Sequence, residues 1–431
     1  MGKNCTTTEE QSTKSSEVVN VDEGTLFEDL IRDILLRLPW QSVNRFKSVS
    51  KNWLRLVSEP SFVKDFQFQN HDLLGFLHSN LNRVKFCPIP LLENPICVRD
   101  LKRTSFSFPQ HCLGVTNLSN GFVLCWYRHY RQPIYVTSYF VYNPITEEQL
   151  HLPPLSQIYM EQPLDRQNRF LVTGFQFHYD SETPSFIVAQ LVNREKGLQV
   201  YFFSSETFKW TSTLHDLRHM FRGDESFALS GPSTFYRGSL HWVSEPLGVV
   251  SYSVKKQQFS FRRIPAIRDD QHVYRCMFNQ KGDKHIPIPP HCRCRYLGEC
   301  LDKLLYIQVA GDSQLYLWKL EDYHRNKWSL RQSIIIENVP MPFVRGSIVG
   351  FDRRDDQVLF LKLNRMILSY HLRSKELTML YEVPSEDYDN LHFFCAYELP
   401  KSVPFLFYKS YFSHMYGSKN VLVSNELNFP E

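Results

Sequence analysis

Apolar positions along the chain follow two different periods. Between Leu26 and Phe62 they recur at helical spacing: Leu30, Ile31, Ile34, Leu35 and Leu38 fall on one stripe of a helix. Glu28 and Asp29 sit near its start, where a helix N-terminus favours negative charge, and Pro39 closes it. Ser42 is predicted to cap a second short helix carrying Val43 and Phe46. Ser50 is predicted to cap a third carrying Trp53, Leu54 and Val57, which Pro60 stops. Three short helices cannot bury that much apolar surface among themselves, so part of the stripe must meet another surface.

From about residue 71 the pattern changes to short apolar or alternating runs separated by turn signals. Such runs include Gly121 to Tyr127, Ser185 to Val192, Leu198 to Ser204, Lys303 to Ala310 and Gln314 to Leu320, with turns at Asn143-Pro144, Gly231-Pro232 and Arg237-Gly238. No long amphipathic helix intervenes, which argues against a parallel α/β sheet. The fold class expected is mainly β with a small all-α N-terminal domain, the β part being a sandwich pair or an irregular β-propeller. Repeats of about 45–50 residues would give six to seven blades. The sequence has no Trp-Asp dipeptide and no Gly-Gly doublet, so it is neither a WD40 nor a regular kelch array by its own letters. The expected domains are a disordered polar tail at 1–24, the helical segment at 25–60, a bridge at 61–72 and the β domain at 73–431. Phe62, Phe66 and Phe68 make the bridge too apolar for a free linker, and it is expected to pack the helices onto the β domain.

Composition sharpens this picture in two places. The formal net charge is only +4, which calls for neither nucleic acid nor an anionic membrane as partner. The 10 cysteines are scattered and no signal pattern opens the chain, so they read as reduced thiols in the cytosol or nucleus. Met1, Gly2 and Thr6 fit the spacing for N-myristoylation, with Cys5 beside them, but a free polar tail is the reading adopted.

The helical segment resembles an F-box. The residues that carry the resemblance are Leu26, Asp29, Leu30, Ile31, Ile34, Leu35, Arg37, Leu38, Pro39, Ser42, Val43, Arg45, Phe46, Lys47, Val49, Ser50, Lys51 and Trp53. Phe27 stands where that family usually has proline, and Gln41 where it has a basic residue. The remainder is similar to the F-box-associated domain of plant F-box proteins, through Ser119-Asn120-Gly121-Phe122, Tyr142-Asn143-Pro144, Arg237-Gly238-Ser239-Leu240-His241-Trp242, Leu297-Gly298-Glu299-Cys300 and Leu315 to Leu320. The resemblance implies a kelch-like propeller that binds a protein to be ubiquitinated. It also implies that Leu30, Ile31, Ile34, Leu35, Leu38, Pro39 and Val43 contact a Skp-type adaptor and, through it, a cullin. An F-box protein acting outside the ligase, as a scaffold or glycan-binding module, is the alternative.

Other chemistry is thin. His285, His291, Cys292, Cys294 and Cys300 form the densest set of potential ligands, but Cys-x-Cys without a second pair fits zinc poorly. The basic run Lys281 to Arg295 reads as a solvated insertion, with contact to an acidic partner as the functional alternative. Trp126, Trp210, Trp242, Trp318 and Trp328 are expected in the inter-sheet core. No nucleophile elbow, phosphate-binding loop or His-Glu-x-x-His occurs, so no catalytic residue, cofactor or metal is expected.

Overall fold

The structure is a computed structural model. It describes residues 23–38, 40–46, 48–59, 61–62, 65, 73–79, 84–88, 108–131, 134–144, 147–155, 171–178, 185–194, 197–217, 228–245, 248–265, 295–310, 314–336, 347–352, 355–363, 365–383 and 393–398. The chain divides into two compact units, Met1–Asn70 and His71–Glu431.

The first unit holds α1 (Glu23–Leu36), α2 (Trp40–Phe46) and α3 (Lys51–Ser58). Ser50 caps α3, its hydroxyl accepting from Trp53 N at 3.1 Å. Ser42 does not cap α2: the helix already starts at Trp40, two residues earlier than its first good cap residue.

The second unit is all β. Its strands are β1 (Leu73–Ser79), β2 (Val84–Pro88), β3 (Gly114–Ser119), β4 (Phe122–Arg131), β5 (Ile134–Tyr142), β6 (Gln149–His151), β7 (Leu171–His178), β8 (Ser185–Arg194), β9 (Gly197–Ser204), β10 (Lys209–His215), β11 (Ala228–Tyr236) and β12 (Ser239–Glu245). They continue with β13 (Gly248–Ser253), β14 (Gln258–Arg263), β15 (Arg295–Cys300), β16 (Lys303–Ala310), β17 (Gln314–Asp322), β18 (Lys327–Ile335), β19 (Ser347–Phe351), β20 (Val358–Leu363), β21 (Met366–His371), β22 (Leu377–Glu382) and β23 (Phe393–Glu398). Each consecutive set of four from β3 to β22 is an antiparallel meander, giving five four-stranded sheets among the described residues rather than six to seven full blades. A further, three-stranded sheet has the order β2-β1-β23 and joins the two ends of the unit.

The sheets pack in chain order. β3 lies beside β7, β7 beside β11, β11 beside β15, β15 beside β19, β19 beside β23, and β23 beside β3. Each neighbouring pair of sheets shares an apolar core. Between the sheets of β3–β6 and β7–β10, for instance, Phe122, Phe175, Phe177, Phe186 and Phe203 are packed together, with Phe122 stacked on Phe177 at 4.0 Å. Trp242, Trp318 and Trp328 are buried in such interfaces, while Trp126 and Trp210 are half-buried against them.

The local geometry repeats as well. In five hairpins joining the third and fourth strands, one residue stands at positive φ: Glu147, Phe208, Gln257, Asn326 and Lys375. Each lies four positions after a polar residue, namely Asn143, Ser204, Ser253, Asp322 and His371. In four of the five, the backbone N–H of the positive-φ residue donates to that polar residue's carbonyl, at 2.8–2.9 Å. The side chains of Ser204, Ser253, Asp322 and His371 then accept from N–H groups inside the turn. Between the first and second strands, the turns Asn120-Gly121, Arg237-Gly238 and Leu301-Asp302 place both residues at positive φ, the two-residue hairpin that matches strand twist.

Candidate functional site

The helical unit closes around Leu35, Leu36, Val43, Leu56, Val57 and Phe62, with Ile31, Leu38, Phe46 and Trp53 packed against them. Phe46 and Trp53 meet at 5.0 Å between ring centres, which fastens α2 to α3. Arg32 ties α1 to the segment after α3: its guanidinium donates to Asp65 at 2.7 Å, lies 3.8 Å from Glu59, and stands over the Phe62 ring at 5.5 Å. Arg55 on α3 bonds both Glu28 and Glu59, so the start of α1 is held as well.

This packing splits the α1 stripe in two. Ile31, Leu35 and Leu38 turn inward. Leu30 and Ile34, one helical turn apart, remain 57% and 60% exposed. The apolar arc of α1 is wider than two short helices can cover, and its outer row stays in water. Val49 and Leu54 are exposed too, at 60% and 38%. Of the residues expected at an adaptor contact, Leu30 and Ile34 thus present a free face, and Ile31 and Leu38 a partial one. Leu35 and Val43 are 1% and 2% exposed and serve the unit's own core. Pro39 lies outside the described residues. Neither Val49, which lies between α2 and α3, nor Leu54 on α3 is among the residues expected at the adaptor contact; only the packed helices show that both side chains are open to solvent.

Within the bridge, Phe62 belongs to the helical core; Phe66 and Phe68 fall outside the described residues, as do Gly2, Cys5, Lys281, His285, His291, Cys292 and Cys294. Cys300 is buried at the end of β15, its thiol donating to Asp352 O at 3.2 Å. Among the described residues no helix is long and apolar enough to cross a membrane.

Comparison with known proteins agrees with this geometry. Residues 25–65 match the F-box domain family, the stretch occupied by the three helices. The chain is 24% identical to the F-box protein At5g49610 of Arabidopsis thaliana, over 82% of this chain and 90% of that protein. It is 23% identical to the F-box protein At5g07610 of the same plant, over 73% and 72% of the two chains. The F-box/kelch-repeat protein At3g23880 of Arabidopsis thaliana is also 23% identical, over 54% of this chain and 63% of its own. The N-terminal helices are thus an F-box domain, in a chain similar along most of its length to plant F-box proteins.

Proposed function

We propose that this protein is the substrate-recognition subunit of a Skp-cullin-F-box type ubiquitin ligase, and that it is not itself catalytic. Its F-box helices dock on a Skp-type adaptor, which hangs on a cullin. The β domain holds the target protein so that its lysines stand near the conjugating enzyme, and raised local concentration is what the receptor contributes. The protein acts in the cytosol or nucleus. The β domain is read as a propeller of six blades, the sheet of β2, β1 and β23 being the one completed from both ends of the domain. The circular succession of β3, β7, β11, β15, β19 and β23 supports that reading.

The observation that carries the proposal is the exposed pair Leu30 and Ile34 on a helix inside a matched F-box domain. Two large aliphatic side chains held in water are stabilised by a covering partner, each by about 1.5–3 kcal/mol when fully buried. Leu30, Ile34, Ile31 and Leu38 are assigned to the adaptor contact itself. Leu35 and Val43 support it from beneath, and Pro39 completes the set. Co-expression with a Skp-type adaptor followed by affinity capture tests this. Ile34→Asp places a charge in the apolar interface while leaving the unit's own core intact. Capture should fall at least about tenfold with unchanged thermal stability. Undiminished capture by Ile34→Asp rejects the assignment.

A further inference from the structure

Four turns at one end of the β domain come together between the sheet of β11–β14 and that of β15–β18. Val254 N donates to Gly238 O at 3.3 Å, which sets the β13–β14 turn against the β11–β12 turn. The Tyr236 hydroxyl donates to Asp302 O at 3.1 Å, and the Tyr236 and Tyr323 rings lie 5.8 Å apart, which brings in the neighbouring sheet.

The cations here have no acids. Arg237 is exposed, at φ 46°, with its guanidinium 5.5 Å from the Tyr236 ring and 5.9 Å from the Tyr323 ring. Arg262 is buried beneath the same tyrosine, 4.1 Å from its ring; one terminal nitrogen donates to Ser251 and Ser260 at 2.6 and 2.9 Å, and its Nε finds no acceptor. Lys255 and Lys256 are exposed on the adjoining turn. No carboxylate pairs with any of the four among the described residues, whereas Arg32, Arg37, Arg55, Arg325, Arg331 and Arg365 are all matched with acids. His241 lies in the same interface. Its Nδ1 faces Thr234 O at 3.2 Å, a carbonyl that can only accept, so Nδ1 carries the proton and Nε2 accepts from the Tyr323 hydroxyl at 3.1 Å. Burial, and after it the Arg262 charge, hold this imidazole neutral, with its pKa lowered to about 3. A buried guanidinium without a counter-charge is costly, and its field is directed at the tyrosines above it.

We propose that the surface made by Tyr236, Arg237, Lys255, Lys256 and Tyr323 is a docking site for an acidic segment of a bound polypeptide. The proposal rests on reading the β domain as the part that holds the target. Tyrosine faces offer rigid contact area, and the Arg237 fork matches carboxylates two oxygens at a time. The basic field is narrow. Glu299 at the end of β15 and Asp302 on the β15–β16 turn bound it, and Glu147, Glu148 and Glu206 lie in the third-to-fourth-strand turns of the β3–β6 and β7–β10 sheets. That breadth suits a short peptide; a nucleic acid or an anionic membrane needs a wider one.

The test uses the full chain co-purified with its Skp-type adaptor, and fluorescein-labelled deca-glutamate read by anisotropy at low salt, with deca-lysine as control. Deca-glutamate should bind and deca-lysine should not. R237E combined with K255E and K256E should weaken binding about tenfold or more. R128E combined with K209E and K375E removes the same charge elsewhere and should leave the affinity within about twofold. Equal losses in both triple variants would reduce the effect to net charge and overturn the proposal, as would no binding by the unmodified chain. Tighter binding of single-stranded RNA with the same dependence on Arg237 would overturn the peptide assignment. Adaptor retention is measured in the same preparations: an unmodified chain that keeps the adaptor but does not bind deca-glutamate sinks this proposal alone, and one that binds deca-glutamate but does not retain the adaptor sinks only the ligase reading.

Discussion

Single residues set how this protein responds to acid. His111 and His151 stack at 5.6 Å beside Tyr127 and Phe140. Burial and, secondarily, the neighbouring His111 hold His151 down to about 4, and burial also lowers His111. The unfolded chain takes up protons as pH falls below the ordinary histidine value, while these folded imidazoles resist them. Stability is therefore full above about pH 6.5 and lost as pH falls towards 4, with His241 adding to the loss. His151→Phe, which keeps the ring stack, should flatten the fall in melting temperature between about pH 7 and about pH 4.5; an unchanged slope would assign the effect elsewhere. Cysteines obey the same rule with the opposite sign. Burial, then the nearby carboxylates of Asp356, Glu299 and Asp352, push the Cys300 thiol up to about 12, and burial raises Cys125 further from reactivity. Iodoacetamide at neutral pH should leave both unmodified in the native protein by mass spectrometry and label them after denaturation.

At the scale of elements, the sequence pattern was readable wherever a strand is covered on both faces. β8 and β16 are near-continuous apolar runs, and the sequence runs Ser185 to Val192 and Lys303 to Ala310 agree with them to within two residues. The outer strands escaped: β10 and β22 bury no residue and β14 leaves half of its residues in water, so their letters look like loop. The inner strands escaped for another reason. β3 and β11 carry register shifts that break the alternation, and in β3 a side chain at Gly114 would collide with the Trp126 ring. Gly174 in β7 is such a place, where an added Cβ would stand 2.7 Å from Trp242. For the helices, periodicity named the apolar arc of α1 but not its division into Ile31, Leu35 and Leu38 inside and Leu30 and Ile34 outside. The division is itself testable. Leu35→Ala should destabilise the helical unit by about 2–4 kcal/mol, seen as faster amide exchange across residues 31–57, whereas Ile34→Ala should change exchange little.

On the scale of the molecule, the β domain relies on pairing its two ends. β23 lies between β1 and the inner strands β19 and β3, more than 300 residues of chain after β1. Such a contact closes a very long loop, which costs entropy slowly with length but delays folding. Deleting residues 393–431 should therefore expose one edge of β1, lower the cooperativity of thermal unfolding and promote aggregation measurable by light scattering. A truncated chain that melts as sharply as the intact one would show that the three-stranded sheet is dispensable.

That join also bears on how the protein is made. A ribosome emits the F-box helices first, and they can reach their native packing while most of the chain is still being polymerised. The last partner of β1 emerges only after more than 300 further residues have been added. On the function proposed above, a premature stop upstream of Phe393 would release a product with a competent docking end and an unfinished cargo end, able to occupy adaptor molecules without delivering anything to them.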